Sequence, residues 1–119
     1  MATLLFALPI KPGQAEAART FAQECIGPRY ADYDASEQRI GIPVENWYLQ
    51  SNAAGQFFTI QVEGPDLMSS LGAFISSRDP FDLWFKEQLA AITGIDLNAG
   101  PPPNDMIAET LAEYKAKGA

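Results

Sequence analysis

The chain has no histidine and one cysteine, Cys25. A Ser-His-Asp relay is therefore impossible, and the side chain that ordinarily exchanges protons near neutral pH is missing. Transition-metal sites draw mainly on His and Cys, so neither a metal nor a cofactor is expected. Acid–base work would fall to a carboxyl of displaced pKa, a lysine, a tyrosine or Cys25. Raising a carboxyl by about three units takes about 4 kcal/mol of differential environment, which a buried Glu45 or Glu63 could supply. The side chains whose types suit a pocket for a small ring are Asn46, Tyr48, Arg78 and Trp84, with Tyr33 as a lid from a more polar segment. No P-loop, EF-hand loop or GxGxxG is present.

Each of these has a plainer reading. Trp84 shares helical spacing with Phe81 and Phe85, which suits a core stripe better than a ligand box. Arg78 follows an apolar stripe and can lay its stem over the core edge with its head in water. Asn46 and Trp47 are adjacent on a strand and point to opposite faces, so they cannot line one pocket without a bulge. Of Trp47 and Tyr48, one is expected in the core and one at an interface. Cys25 falls at helical spacing among apolar residues and reads as a small buried hydrophobe. Asp32, Asp34 and Glu37 read as a solvated loop, and Lys86 and Glu87 as the exposed face of a helix.

The elements that must position these residues follow from hydrophobic period. Residues 3–10 are apolar on both faces, which predicts a strand in the middle of a sheet. Lys11-Pro12-Gly13 breaks it, and Ala15, Ala18, Phe21, Ala22, Cys25 and Ile26 then recur as one helical stripe. Gly27-Pro28 ends that helix; residues 29–39 could add a further turn or two. Residues 44–51 and 56–63 alternate as strands around Asn52-Ala53-Ala54-Gly55, the signature of a hairpin. Leu67, Leu71, Phe74 and Ile75 mark the next helix. Asp79 as N-cap and Pro80 as first residue open another, which Gly94 stops. Ile95-Asp96-Leu97 is expected as a short fourth strand. After a stiff loop through Pro101-Pro102-Pro103, Asn104 is expected to cap a tail helix striped by Ile107, Leu111 and Tyr114.

The order of strands and helices predicts an α+β, ferredoxin-like domain over residues 1–97, an antiparallel sheet with helices on one face. Residues 98–119 form a Pro-rich loop and a C-terminal helix docking on the same domain or on a partner. The uncovered sheet face would hold Phe57 and either Trp47 or Tyr48 against water. A second copy, sheet to sheet in a two-fold pair, is the simplest cover.

Composition bounds the partners. There are 119 residues, 47% hydrophobic and 19% charged, consistent with one globular core. Eight basic against fifteen acidic residues give a net charge of -7, and no Lys/Arg cluster exists to hold phosphates. Nucleic acid and anionic membrane are therefore not expected partners. No apolar stretch reaches the ~20 residues of a membrane span, and the first ten residues lack the basic start and cleavage site of a signal peptide. The expectation is a cytoplasmic protein.

Three stretches carry a resemblance: the opening strand into Ile10-Lys11-Pro12-Gly13, the strand Glu45-Asn46-Trp47-Tyr48-Leu49-Gln50, and the run from Asp79 to Gln88 (DPFDLWFKEQ). Over residues 3–97 the chain resembles the dimeric α+β barrel superfamily, and within it an uncharacterised bacterial family. The resemblance implies a ferredoxin-like homodimer paired through its sheets. It implies a small protein that binds an apolar or aromatic molecule or serves a structural role. The alternative it implies is a cofactor-independent monooxygenase or isomerase of the antibiotic-biosynthesis monooxygenase type. The haem-degrading members do not carry over, because the first strand has no Asn and the chain has no His.

Overall fold

The computed structural model describes residues 2–118. Three strands, β1 (Ala2–Pro9), β2 (Val44–Asn52) and β3 (Gly55–Gly64), form an antiparallel sheet in the order β1-β3-β2. Four helices follow the chain: α1 (Ala15–Ile26), α2 (Tyr30–Ile40), α3 (Leu67–Ser76) and α4 (Pro80–Thr93). The hairpin register runs from Val44↔Glu63 to Asn52↔Gly55, and Asn52 Oδ1 accepts the Ala54 N–H at 2.8 Å inside the turn.

Two expectations about the sheet are corrected. The middle strand is β3, not β1, because the hairpin partner and β1 flank it on either side. No strand forms at residues 95–97. Ile95 and Leu97 instead turn their side chains into the core, Leu97 being buried. The fourth-strand position is filled about ten residues later by one antiparallel bridge, Ile107 to Phe6, where the Ala108 N–H donates to the Leu5 carbonyl at 2.7 Å. That single bridge lies on the side of β1 away from β3 and adds no strand to the three.

The expected tail helix is also corrected. Residues 104–106 make one 3-10 turn, and after the bridge at Ile107 residues 108–116 have no regular structure. The stripe of Ile107, Leu111 and Tyr114 cannot pay for a helix with no surface to pack on, because most helical stability comes from tertiary burial. Leu111 and Tyr114 are 88% and 91% exposed.

All four helices lie on one sheet face. Leu8, Phe58, Ile60 and Val62 from the strands meet Phe21, Phe85, Leu89 and Ile92 from the helices. Trp47 belongs to this inner face, with its ring 5.1 Å from Phe21 and 5.4 Å from Phe58. The opposite face carries Leu5, Tyr48, Phe57 and Thr59, and none of the four described helices covers it; Tyr48 is 54% exposed. The ring pair on the bare side is thus Tyr48 and Phe57.

The run from Ser77 to Lys86 ties the helices together. Asp79 accepts the Phe81 N–H at 3.0 Å as the N-cap of α4, and Pro80 takes the first helical position, as expected. Gly94 ends α4 at φ 81°, a left-handed conformation that a side chain would strain. Lys86 corrects the reading of an exposed residue: it has no accessible surface. Its ammonium donates to the carbonyls of Phe74, Ile75 and Ser77, each at 3.0 Å, and so caps the C-terminus of α3. Removal from water pushes its pKa below the usual lysine value, and the neighbouring Asp82 opposes that shift. Lys86→Met keeps the apolar stem and strands those carbonyls. It should lower the unfolding free energy by about 2–4 kcal/mol, read as a lower urea midpoint at unchanged slope.

Candidate functional site

A cavity of about 80 Å³ lies between the helices and the inner sheet face. Most of its wall is apolar: Leu4, Phe6 and Leu8 from β1, Ile60 and Val62 from β3, Leu67, Leu71 and Phe74 from α3, Phe85 and Leu89 from α4. Its polar end is built by α2 and β2, which contribute Tyr33, Ser36, Glu37 and Glu45. The spacing 33, 36, 37, 40 is one face of a helix, so folding residues 30–40 as α2 turns all four side chains to the same wall. The expected solvated loop is therefore corrected: this segment is a full helix, and Glu37 faces inward.

Glu45 is fixed from two sides. Its Oε2 accepts the Tyr33 hydroxyl at 2.5 Å and the Trp47 Nε1–H at 3.0 Å. Burial raises its pKa above the usual carboxyl range, and these two donors, which favour the charged form, oppose the rise. Tyr33 rests edge-on against the Trp47 ring at 5.7 Å. Burial first, and then the Glu45 charge, push its phenol well above the ordinary range. The hydroxyl thus stays protonated and keeps donating.

Glu37 has the opposite environment. Its Oε2 is sealed from water and has no hydrogen-bond partner. Burial, then the charge of Glu45, then that of Asp82 raise its pKa from 4.5 to about 9. Two carboxyls in one cavity thus differ in kind: Glu45 accepts two hydrogen bonds, whereas nothing donates to Glu37 Oε2. Environments that push two neighbouring acids apart assign which one holds the proton.

The position of α2 is set by Asp82, which is wholly buried. Its Oδ1 accepts the Ser36 hydroxyl, and its Oδ2 accepts the Ser77 hydroxyl at 2.5 Å and Arg39 Nη2 at 3.1 Å. Arg39 also reaches Asp79 at 3.3 Å. Ser36 and Arg39 belong to α2, so this cluster fastens the helix that carries Tyr33 and Glu37.

Of the five residues singled out as ligand-binding, only Tyr33 lines this cavity, and it does so as fixed wall, packed and hydrogen-bonded, not as a lid. Tyr48 lies on an open hollow at the β2 edge with Ala18, Arg19 and Leu49. Asn46 is on the bare sheet face, Arg78 is exposed in the turn before α4, and neither borders the cavity. Trp84 packs 5.5 Å from Phe21 with the Arg29 guanidinium 4.0 Å over its ring. Glu45 is brought in as a shifted carboxyl, while Glu63 is on the other face. The residue that sequence reasoning missed is Glu37, and the helical spacing of Tyr33, Ser36, Glu37 and Ile40 was the available signal. Cys25 is fully buried, and burial pushes its thiol up to about 12, in keeping with an inert small hydrophobe.

A proton held by Glu37 has a stability signature. A carboxyl whose folded pKa is raised stabilises the fold fully below its unfolded value near 4.5 and loses that contribution as pH climbs to about 9. Glu37→Gln keeps the shape without the titration. The variant should be more stable than the parent above about pH 6, the gap reaching on the order of 1–3 kcal/mol by about pH 8. Urea titrations across that range check the sign; a parent protein that gains stability relative to the variant as pH rises would contradict it.

Among the described residues, no helix is long and apolar enough to cross a membrane. No family model matches the chain, and no curated protein matches it. Among solved structures, it is similar to tetracenomycin F2 cyclase from Streptomyces glaucescens, a type-II polyketide cyclase. The TM-score is 0.60 at 15% identity, covering 98% of this chain and 99% of that one. At that identity the likeness is one of fold. Taken with the antiparallel sheet and the helices on one face, the chain has a ferredoxin-like α+β fold.

Proposed function

We propose that the chain binds a small, mainly apolar ring in the cavity between its sheet and helices. The observation that carries this reading is the cavity itself, greasy along β1, β3, α3 and α4 and polar only where α2 meets β2. Such pockets, apolar with a few placed polar groups, are the usual form of small-molecule sites. The volume of about 80 Å³ is near half the ~150 Å³ of an apolar cavity that admits benzene. A small ring therefore fits with modest adjustment of the Leu67 and Leu71 side chains.

Catalysis is a second reading, supported by the unequal carboxyl pair. A neutral Glu37 beside a hydrogen-bonded Glu45 could exchange protons with a bound ring without any cofactor, which suits an isomerase better than a monooxygenase. That a structure of similar fold is a polyketide cyclase agrees with a cavity for ring-forming or ring-bearing compounds.

The bare sheet face supports a homodimer. Leu5, Phe57 and Tyr48 form an apolar patch among Thr59, Gln61 and Asn46, and a two-fold copy would bury it. Size exclusion with light scattering should give twice the 12.9 kDa chain mass. Leu5→Lys combined with Thr59→Lys should return it to the monomer. For the cavity, ligand-observed NMR should show benzene binding in roughly the millimolar range. Leu71→Trp, which fills the space, should weaken binding at least about tenfold. Equal benzene binding by the parent and the filled variant would place the ligand elsewhere.

A further inference from the structure

Glu37 is an acid without a partner in a chamber with room for one. Its Oε2 is shut off from water and accepts nothing, although buried polar atoms are almost always satisfied. An ionised carboxylate in that setting would carry the full cost of an unsolvated charge. A neutral carboxyl avoids the cost and gains a donor, the O–H. Glu45 is held differently, because Tyr33 and Trp47 both donate to its Oε2 and favour its charged form. The remaining wall of the cavity is hydrocarbon and aromatic edge. Among the described residues, the other polar groups at this end of the cavity are the acceptor Glu45, Tyr33, already donating to it, and Ser36, already donating to Asp82.

We propose that Glu37 meets the ligand as an uncharged acid, donating a hydrogen bond to a neutral oxygen acceptor such as a ring ketone, and that the cavity rejects carboxylate and phenolate ligands. This rests on the binding reading above and specifies its chemistry. An anionic ligand would sit in a dry cavity beside Glu45 with Asp82 behind it, and among the described residues no cation borders the cavity to offset the charge. A pure hydrocarbon would fit but leave the Glu37 O–H unpaired. A ketone of the same shape removes that deficit.

The groups that set Glu37's charge come from every neighbouring element. Glu45 on β2 and Asp82 on α4 act on it directly, Arg39 of its own helix pairs with Asp82, and Tyr33 on the same helix and Cys25 on α1 feel the Glu37 charge in turn. Neither β1 nor α3 has an ionisable side chain. With acids dominating, Glu37 stays neutral through physiological pH and loses its proton near 9.

The test compares cyclopentanone, labelled with ¹³C at the carbonyl, with methylenecyclopentane, which has nearly the same shape but no oxygen. Both are titrated into the full chain at about pH 7 and followed by NMR. One added hydrogen bond should favour the ketone about five-fold, and the bound carbonyl carbon should move downfield. Glu37→Gln retains a donor and should keep both effects. Glu37→Leu should bind the hydrocarbon, showing that it is folded, but lose the preference and the downfield shift. At about pH 10 the parent should lose the preference while Glu37→Gln keeps it. A preference that survives in Glu37→Leu, or a ketone bound no more tightly than the hydrocarbon, overturns the role of Glu37 and leaves the cavity reading intact. Failure of both probes to bind overturns the two together.

Discussion

Asp82 is the constraint from which the site follows. It has no contact with water, yet three donors converge on it, two of them from α2 and one from the turn before α4. A buried carboxyl that loses such partners leaves an uncompensated polar group, at a cost of about 3–5 kcal/mol. The α2 helix therefore has one azimuth at which Ser36 and Arg39 both reach Asp82. At that azimuth Tyr33, three residues before Ser36, and Glu37, one after it, face the cavity from the same side of the helix. The polar end of the cavity is a consequence of where α2 is fastened.

The same logic explains why α2 tolerates so polar a composition. Of its eleven residues only Ser36 is buried outright, so the hydrophobic effect alone holds it weakly. Its attachment is by hydrogen bonds, Ser36 and Arg39 to Asp82 and Tyr33 to Glu45. Each of these is directional, so α2 is placed more by polar geometry than by packing. Lys86 does the corresponding task for α3 by capping its last carbonyls. One short stretch, Ser77 to Lys86, thus positions α2 and α3, which wall the cavity together with α4.

How much of this was legible in sequence divides along that line. Strands, the hairpin, the α4 cap at Asp79-Pro80 and the stop at Gly94 are written in local periodicity and turn chemistry. They could be read from neighbours in the chain. The fourth-strand bridge at Ile107 and the absence of a tail helix could not, since both depend on what the segment finds to pack against. Lys86 looked like a surface charge because charged side chains are almost never fully buried unless paired, and its acceptors lie on the preceding helix and turn, up to 12 residues away. Glu37 was hidden for the same reason: its spacing with Tyr33 was visible, but only a long-range attachment turns that face inward.

The two glutamates then show how similar side chains acquire different roles. Both are in the same cavity, and burial raises both. Glu45 is on a strand between residues whose alternation fixes it inward, and Trp47, two positions along, faces the same way and donates to it. Tyr33 completes the pair of donors. Glu37 is on a helix, where the residues of its own face are already committed elsewhere, Tyr33 to Glu45 and Ser36 to Asp82. A second carboxyl entering a space whose donors are all spoken for can lower its energy only by keeping its proton. A shortage of hydrogen-bond donors thereby favours a protonated acid on the cavity wall, in a chain without histidine.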